Sequence, residues 1–388
     1  MSTVGEAIQT GRSRARSPYM EWAKGHPKVA YNLAASGMPA YTLAQFVAAG
    51  WLKLEDLELS GSDGYGYPSL QQAIAEKAGV SPDRVVAISG GCSMANQLAM
   101  AAAFEPGDEV LIEQPTYELL VSTAQYLGAR VRRFTRRFED GFSLDPNEVA
   151  QAITPKTRMI VITNLHNPSS ALADEAALGA VGEIAASVGA RVLVDEIYLE
   201  THYSRPWRSS IHLGDRFIVT SSLTKAYGLS GLRCGWALAS PELARAMWHI
   251  NDLHGVNAAH PAEILSVIAL NHLKEIGAPY QMRLDANRQI VNRWLDDRPE
   301  LRVARPPLGT TLFPKLWGDN AEAFCNLLRE QYEVGVVPGG FFEAPAHFRM
   351  FLGADTPTFT EALGRIGTAL DRATRAALPE GERENAIG

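Results

Sequence analysis

From residue 84 onward the chain alternates short apolar runs with longer amphipathic segments. VVAIS (85–89) leads through GGCS into MANQLAMAAAF, DEVLIEQ (108–114) leads into PTYELLVSTAQYLG, and MIVITN (159–164) leads to a segment around DEAALGAVGEIAASVG. ARVLVDE (190–196) and RFIVTSS (216–222) follow, and LRCGWALAS (232–240) reads as one further strand. This alternation leaves few folds open, and the expected class is α/β: a mostly parallel central sheet with helices on both faces. Three of the runs hand over to polar residues, bringing Asn167, Asp195 and Lys225 to one edge of the sheet. Ligands of open parallel sheets bind outside the carboxyl ends of the strands, so the chemistry is expected at that edge.

A chain of 388 residues is long for one hydrophobic core, so a second, smaller unit is expected beside the sheet domain. Residues 46–275 read as the large domain, with residues 1–45 and 276–388 together forming a small α+β domain. Within the first part, YMEWAK reads as a short helix, YNLAASGMP as an extended segment turning at Gly37 and Pro39, and AQFVAAGWLKL (44–54) as a helix. GSDGYGYPS is a glycine and aromatic loop opening the helix LQQAIAEKA. PELARAMWHI and the segment up to His272 are expected to be helical, and a charged amphipathic helix over about 275–300 serves as a connector. TTLFPKLW, AEAFCNLLREQY, VGVVPGG and FRMFLG supply the remaining elements before a terminal helix and a frayed polar tail.

With 20% charged residues and a net charge of −7, neither nucleic acid nor an anionic membrane is the expected partner. The local cluster Arg130, Arg132, Arg133, Arg136 and Arg137 reads as a solvated strand and turn. Cys92, Cys234 and Cys325 show no paired spacing, which implies a reducing compartment and no structural metal. No apolar run approaches a bilayer span, and RSRAR near the N-terminus has Glu6 before it and no apolar stretch after it. A cytoplasmic protein is expected.

The densest stretch of candidate chemistry is SSLTKAYGLSGLRCGW (221–236). Lys225 there precedes a glycine-rich turn that would confine and partly desolvate its amine, lowering its pKa and making it nucleophilic; the alternative is a surface lysine. Asp195, at the end of an apolar run, needs a cation if buried. A protonated pyridine nitrogen would supply one, as in pyridoxal phosphate sites, whereas a helix-capping carboxylate is the other reading. Tyr198 and Asn167 are candidate donors to a ring oxygen, although Asn-Pro is also a common turn. Gly91, Cys92 and Ser93 lie between a strand and a helix, where backbone N–H groups and the helix dipole favour phosphate; a plain tight turn would look the same. Ser222, Thr224 and Arg233 would complete a phosphate cup, and Tyr117 could stack on a ring or pack in the core.

Taken together these residues resemble the fold-type I pyridoxal phosphate enzymes of the class I/II aminotransferase group. That group carries an N-P-[ST] turn, a D-x-x-Y strand end and an S-x-[ST]-K run ending in arginine, in this order. Here they are Asn167-Pro168-Ser169, Asp195 with Tyr198, and Ser222, Thr224, Lys225 with Arg233. The resemblance runs from about residue 31 to 353 and includes PGDEVLIEQPTYE, GGCSMA and VPGGFFEAPAHFRMFLG. It implies that Arg349 clamps a substrate α-carboxylate, with Gly37 close by and Asn167 also at the substrate. It implies a transaminase that uses Lys225, Asp195 and Tyr198 to move an amino group between an α-amino acid and a 2-keto acid through a Schiff base on Lys225. It further implies a homodimer, and a site covered by the N-terminal segment, where Tyr19, Trp22, Tyr65 and Tyr67 would form an aromatic rim; ordinary packing would account for the same four rings equally well.

Two positions depart from the group. Ser170 stands where the turn often has glycine, and Gly61 stands where a tyrosine often reaches the neighbouring subunit's phosphate, with Tyr65 or Tyr67 as substitutes. A β-eliminating lyase acting on cysteine conjugates, or a biosynthetic oxidase or cyclase, would use the same cofactor. A ligand sensor of this fold would need a fused DNA-binding domain, for which the thirty or so residues before Tyr31 are too few.

Overall fold

The computed structural model describes residues 16–61, 64–203, 207–318 and 320–377; the polar lead-in up to residue 15 and the expected frayed tail lie outside the described residues. In chain order the first eight strands are β1 (Tyr31–Asn32), β2 (Val85–Ser89), β3 (Glu109–Gln114), β4 (Arg130–Thr135), β5 (Thr157–Thr163), β6 (Arg191–Asp195), β7 (Phe217–Ser222) and β8 (Cys234–Leu238). Strands β2 to β8 form one seven-stranded sheet in the order β2-β8-β7-β6-β5-β3-β4. The neighbours from β4 through β7 pair in parallel, and β8 runs antiparallel to both β7 and β2. Central strands such as β5 and β6 are buried on both faces, which is why they read as continuous runs of Val, Ile and Leu rather than as alternating patterns.

Register aligns the polar strand ends. Thr163 lies opposite Asp195, and Asp195 opposite Thr220. Because β8 is antiparallel, its first residues meet the last residues of its neighbours: Cys234 faces Ser89 and Gly235 faces Ser222. The GGCS turn, the end of β7 and Arg233 therefore converge on one corner of the sheet.

Outside the sheet, helix α1 (Pro18–Gly25) begins on a Ser17 cap, and α2 (Leu43–Ala48) on a Thr42–Gln45 capping box. The helix expected over 44–54 stops early, because Gly50 takes φ +73 and turns the chain; Trp51 then stacks on His272 at 4.1 Å. Helices α3 (Pro68–Ala78) and α4 (Cys92–Ala103) follow the glycine loop and the GGCS turn. The helical stretch expected up to His272 is two helices, Pro241–Asn251 and His260–Asn271, and the connector helix spans Leu273–Asp296.

The C-terminal part holds β9 (Leu301–Arg302), β10 (Thr311–Leu312), β11 (Lys315–Leu316), β12 (Val334–Gly335), β13 (Val337–Pro338) and β14 (Phe348–Phe351). The early segment joins it: β1 pairs in parallel with β12, and Phe351 N donates to Leu33 O at 2.9 Å. Residues 33–38 are thus held between β14, which carries Arg349, and the loop after β7, which carries Lys225.

One expectation fails at β4. Arg136, read as part of a solvated cluster, is 1% exposed, and its Nη1 donates to Glu113 Oε2 at 2.9 Å. Its Nε donates to Phe142 O at 2.7 Å, while Glu113 Oε1 accepts from Thr163 N at 2.7 Å and Thr163 Oγ1 at 2.5 Å. A buried guanidinium is tolerated only when paired in this way. No helix among the described residues is long and apolar enough to cross a membrane.

Candidate active site

A cavity of about 660 Å³ opens at the carboxyl edge of the sheet, between α1, residues 32–38, the loop after β7 and β14. Lys225 lies on its floor, and its Nζ donates to Ser36 Oγ at 2.8 Å. Desolvation pushes its pKa down, and the nearby Arg349 and Arg233 charges act in the same direction against Tyr19 and Asp195. Gly37 presses on the lysine stem: a Cβ there would sit 3.3 Å from Thr224 O and 3.4 Å from Lys225 Cδ.

Asp195, 4% exposed, ends β6 and receives only neutral donors. Asn96 Nδ2 donates to Oδ2 at 2.8 Å, Ile197 N to Oδ1 at 3.1 Å, and the Cys92 thiol to Oδ1 at 3.3 Å. Burial raises its pKa in spite of these bonds. Cys92 thus serves the carboxylate with its side chain, and burial pushes that thiol well up. Cys92 and Asn96, one helical turn apart on α4, present both groups to Asp195.

At the corner of the sheet, Gly91 has φ +72, and a Cβ on it would come within 2.9 Å of Arg233 Nη2. Arg233 is itself in the left-handed region (φ +52) and donates to Gly90 O. Thr224 and Ser93 line the cavity; Ser222 is fully buried one layer back and donates its hydroxyl to Thr224 Oγ1 at 2.8 Å. Arg233 forms no ion pair with a carboxylate among the described residues.

Arg349, 1% exposed, donates from Nη1 to Asn167 Oδ1 and from Nη2 to Tyr19 OH, both at 3.0 Å. It has no carboxylate partner among the described residues, an expensive arrangement for a buried cation unless a ligand completes it. Tyr19 packs edge-on against Tyr117 at 5.6 Å and beside Trp22 at 6.2 Å, so α1 roofs the cavity with aromatic rings. Tyr198 is buried at the cavity wall, and burial raises the pKa of its phenol. Ser170 keeps the left-handed backbone that glycine would favour (φ +63), held by its hydroxyl donating to Thr311 O at 2.9 Å. Tyr65 and Tyr67 do not line this cavity; they pack by Trp248 and His260. Ser36 and Asn96 escaped the sequence reading, although the i, i+4 spacing from Cys92 could have found the asparagine.

Residues 54–366 match the family Aminotransferase class I and II, which is most of the chain. The protein belongs to the class I and II aminotransferases. Among its relatives, capreomycidine synthase of Streptomyces vinaceus is 27% identical, over 87% of this chain and 89% of that protein. Arginine–pyruvate transaminase of Pseudomonas aeruginosa is 29% identical, over 80% and 83%. The crystal structure of a pyridoxal phosphate-dependent aminotransferase from Streptococcus suis superposes with a TM-score of 0.83 at 29% identity, covering 89% of this chain and 94% of that one.

The cofactor of this aminotransferase is pyridoxal phosphate. The residues present fit it on three counts: a buried Asp195 and an Arg233 beside a glycine turn, neither with an ion-pair partner among the described residues, and a desolvated Lys225 amine in the same cavity.

Behind Asp195, the aminotransferase buries a second carboxyl. Glu196, 2% exposed, accepts from Ser209 Oγ at 2.8 Å, Ser210 N at 2.8 Å and Ser210 Oγ at 2.6 Å, yet burial and then the Glu200 charge leave its pKa raised to about 7. A carboxyl with a raised folded pKa binds its proton more tightly in the folded state. The resulting cost is absent below the unfolded value near 4.5, grows as pH rises, and is complete above about 7. Glu196→Gln is therefore expected to raise the melting temperature by a few degrees at pH 8 and to leave it unchanged at pH 4, as thermal scans at the two pH values will show.

Proposed function

We propose that the protein transfers an amino group from an α-amino acid to a 2-keto acid, with Lys225 as the residue that holds the cofactor covalently and moves the proton at the substrate Cα. The observation that carries this reading is the meeting, in one cavity, of the desolvated Lys225 amine with Arg349, a buried guanidinium that has no carboxylate of its own among the described residues. Asp195 would pair with the cofactor's ring nitrogen, Asn167 and Tyr198 would donate to its ring oxygen, and Tyr117 would cover its face. Gly91, Cys92 and Ser93 would meet the phosphate through backbone N–H groups, together with Ser222, Thr224 and Arg233.

When bound, pyridoxal phosphate supplies an electron-poor ring that accepts the electrons released as the Cα–H bond breaks. The chain supplies the rest. Arg349 binds the α-carboxylate and so fixes the Cα–H bond relative to Lys225, with Gly37 permitting close approach. Lys225 Nζ, its pKa lowered by burial, takes the proton and returns it. Tyr19 and Trp22 exclude water from above. We further infer a cytoplasmic homodimer, and a division into a large domain of residues 46–275 and a small one built from residues 1–45 and 276–388.

Charge narrows the donor. Lys24, Lys28 and Arg329 stand at the cavity wall, and Asp195 is the one acid among its described lining residues. Donors with anionic or neutral side chains are expected to react at least about tenfold faster than arginine or lysine, because a cationic side chain would meet like charge without a partner. Stopped-flow rates of the first half reaction across a panel of donors check this. The same experiment tests the transaminase reading: the visible band should change on adding donor alone and return on adding keto acid.

The likeness to a pyridoxal phosphate-dependent cyclase, whose crystal structure superposes with a TM-score of 0.82 at 26% identity over 91% of this chain and 96% of that one, favours a second reading, in which proton removal at Cα by the same lysine leads to ring closure, or to elimination, instead. Ammonia release without any keto acid would select elimination, and a cyclic product would select ring closure.

A further inference from the structure

We propose that Ser36 is a positioning residue of this site, its Oγ orienting the Lys225 amine for proton transfer. This rests on the role proposed above for Lys225. The Lys225 Nζ donates to Ser36 Oγ at 2.8 Å, and this is the one hydrogen bond of that amine among the described residues. An amine that spends an N–H on a fixed acceptor has its lone pair turned away from that acceptor, toward open cavity. Ser36 keeps its own proton throughout, while the transferred proton travels between substrate Cα and Lys225 Nζ. Toward Tyr198, the Ser36 hydroxyl offsets part of the rise that burial imposes on the phenol.

The serine is placed by its main chain, independently of its hydroxyl. Thr310 Oγ1 donates to Ser36 O at 3.3 Å, Met38 N donates to Lys225 O at 2.7 Å, and Gly37 lies against Thr224 and the lysine stem. Removing Oγ therefore leaves the segment seated. The charged and titratable groups that act on Lys225 are Tyr19, Arg349, Arg233 and Asp195, with Cys92 beside Asp195. All of them persist in the variant, so a shift on losing Oγ belongs to Ser36.

An acceptor favours the ammonium over the amine, so its loss lowers the Lys225 pKa further. In Ser36→Ala, cofactor-free chain that regains its band on reloading should show a Lys225 acylation midpoint, followed by mass spectrometry across pH, about one unit below wild type. In the loaded enzyme the first half reaction should slow about 10- to 100-fold, as for loss of a hydrogen bond to the positive charge that Nζ gains as it takes the proton, with donor affinity changed less than about twofold because Arg349 is untouched. Ser36→Thr, which restores a hydroxyl, should recover most of the rate. An unchanged acylation midpoint with a half reaction within about threefold of wild type overturns the proposal. If wild type itself performs no half reaction, the transaminase reading falls, whereas the acylation comparison still decides whether Ser36 governs the lysine.

Discussion

Lys225→Ala is expected to lower turnover by about 10⁴-fold or more, equivalent to over about 5 kcal/mol of barrier, since it deletes together the covalent anchor and the proton carrier proposed for this site. Hydride reduction followed by mass spectrometry should fix the cofactor to wild type and leave the variant unmodified. The variant should fold normally. Among the described residues the amine makes a single hydrogen bond, to Ser36, and it sits among the Arg349 and Arg233 charges in a desolvated pocket. Removing it relieves a desolvation cost rather than a supporting contact, so the melting temperature should stay level or rise, in keeping with strain stored at functional sites. Wild-type turnover in Lys225→Ala would show that the proton is carried elsewhere.

The second large effect is on stability. Glu113→Gln keeps the shape of the side chain and removes its charge, leaving Arg136 buried without an anion. Breaking such a pair from one side costs about 3–5 kcal/mol, a large share of the stability of a typical domain. The consequence reaches the site, because the pair is one end of a hydrogen-bonded chain. Thr163 Oγ1 donates to Glu113 at 2.5 Å and accepts from Asn167 N at 2.9 Å, and Asn167 Oδ1 accepts from Arg349 at 3.0 Å. Denaturation midpoints should show the loss, and donor affinity should weaken as Asn167 loosens. Replacing both partners, Glu113→Gln with Arg136→Met, should recover much of the stability, since no uncompensated charge remains. A cost under about 1 kcal/mol for the single variant would mean that water reaches Arg136.

Residues whose position follows from the strand they end were legible in the linear order. Asp195 and Lys225 each come at or just after a run of residues that can only be a buried strand, so they emerge at a sheet edge whatever the remainder of the chain does. The short helix over YMEWAK was legible as well, because such signals are local, whereas Arg349 was singled out only by the resemblance to the family. The helix expected over 44–54 was overextended because composition favours helix through Trp51, whereas Gly50 turns in the left-handed region and lets the indole reach His272, more than two hundred residues away.

The arginine-rich stretch and the serine before Gly37 mark the other limit. Arg136 stands next to the exposed Arg137 in one arginine-rich stretch, and its burial depends on Glu113 of the adjacent strand and the carbonyl of Phe142. Ser36 is an ordinary small residue in an extended segment until β1 pairs with β12 and lays it against a lysine 189 positions later. Backbone periodicity and glycine placement act over a few residues, so order along the chain was enough for the sheet, its polar edge and the position of Lys225 on that edge. Partners for buried charge and for the reacting amine come from distant segments whose approach is set by strand register and helix docking, so they became visible only once the chain was folded.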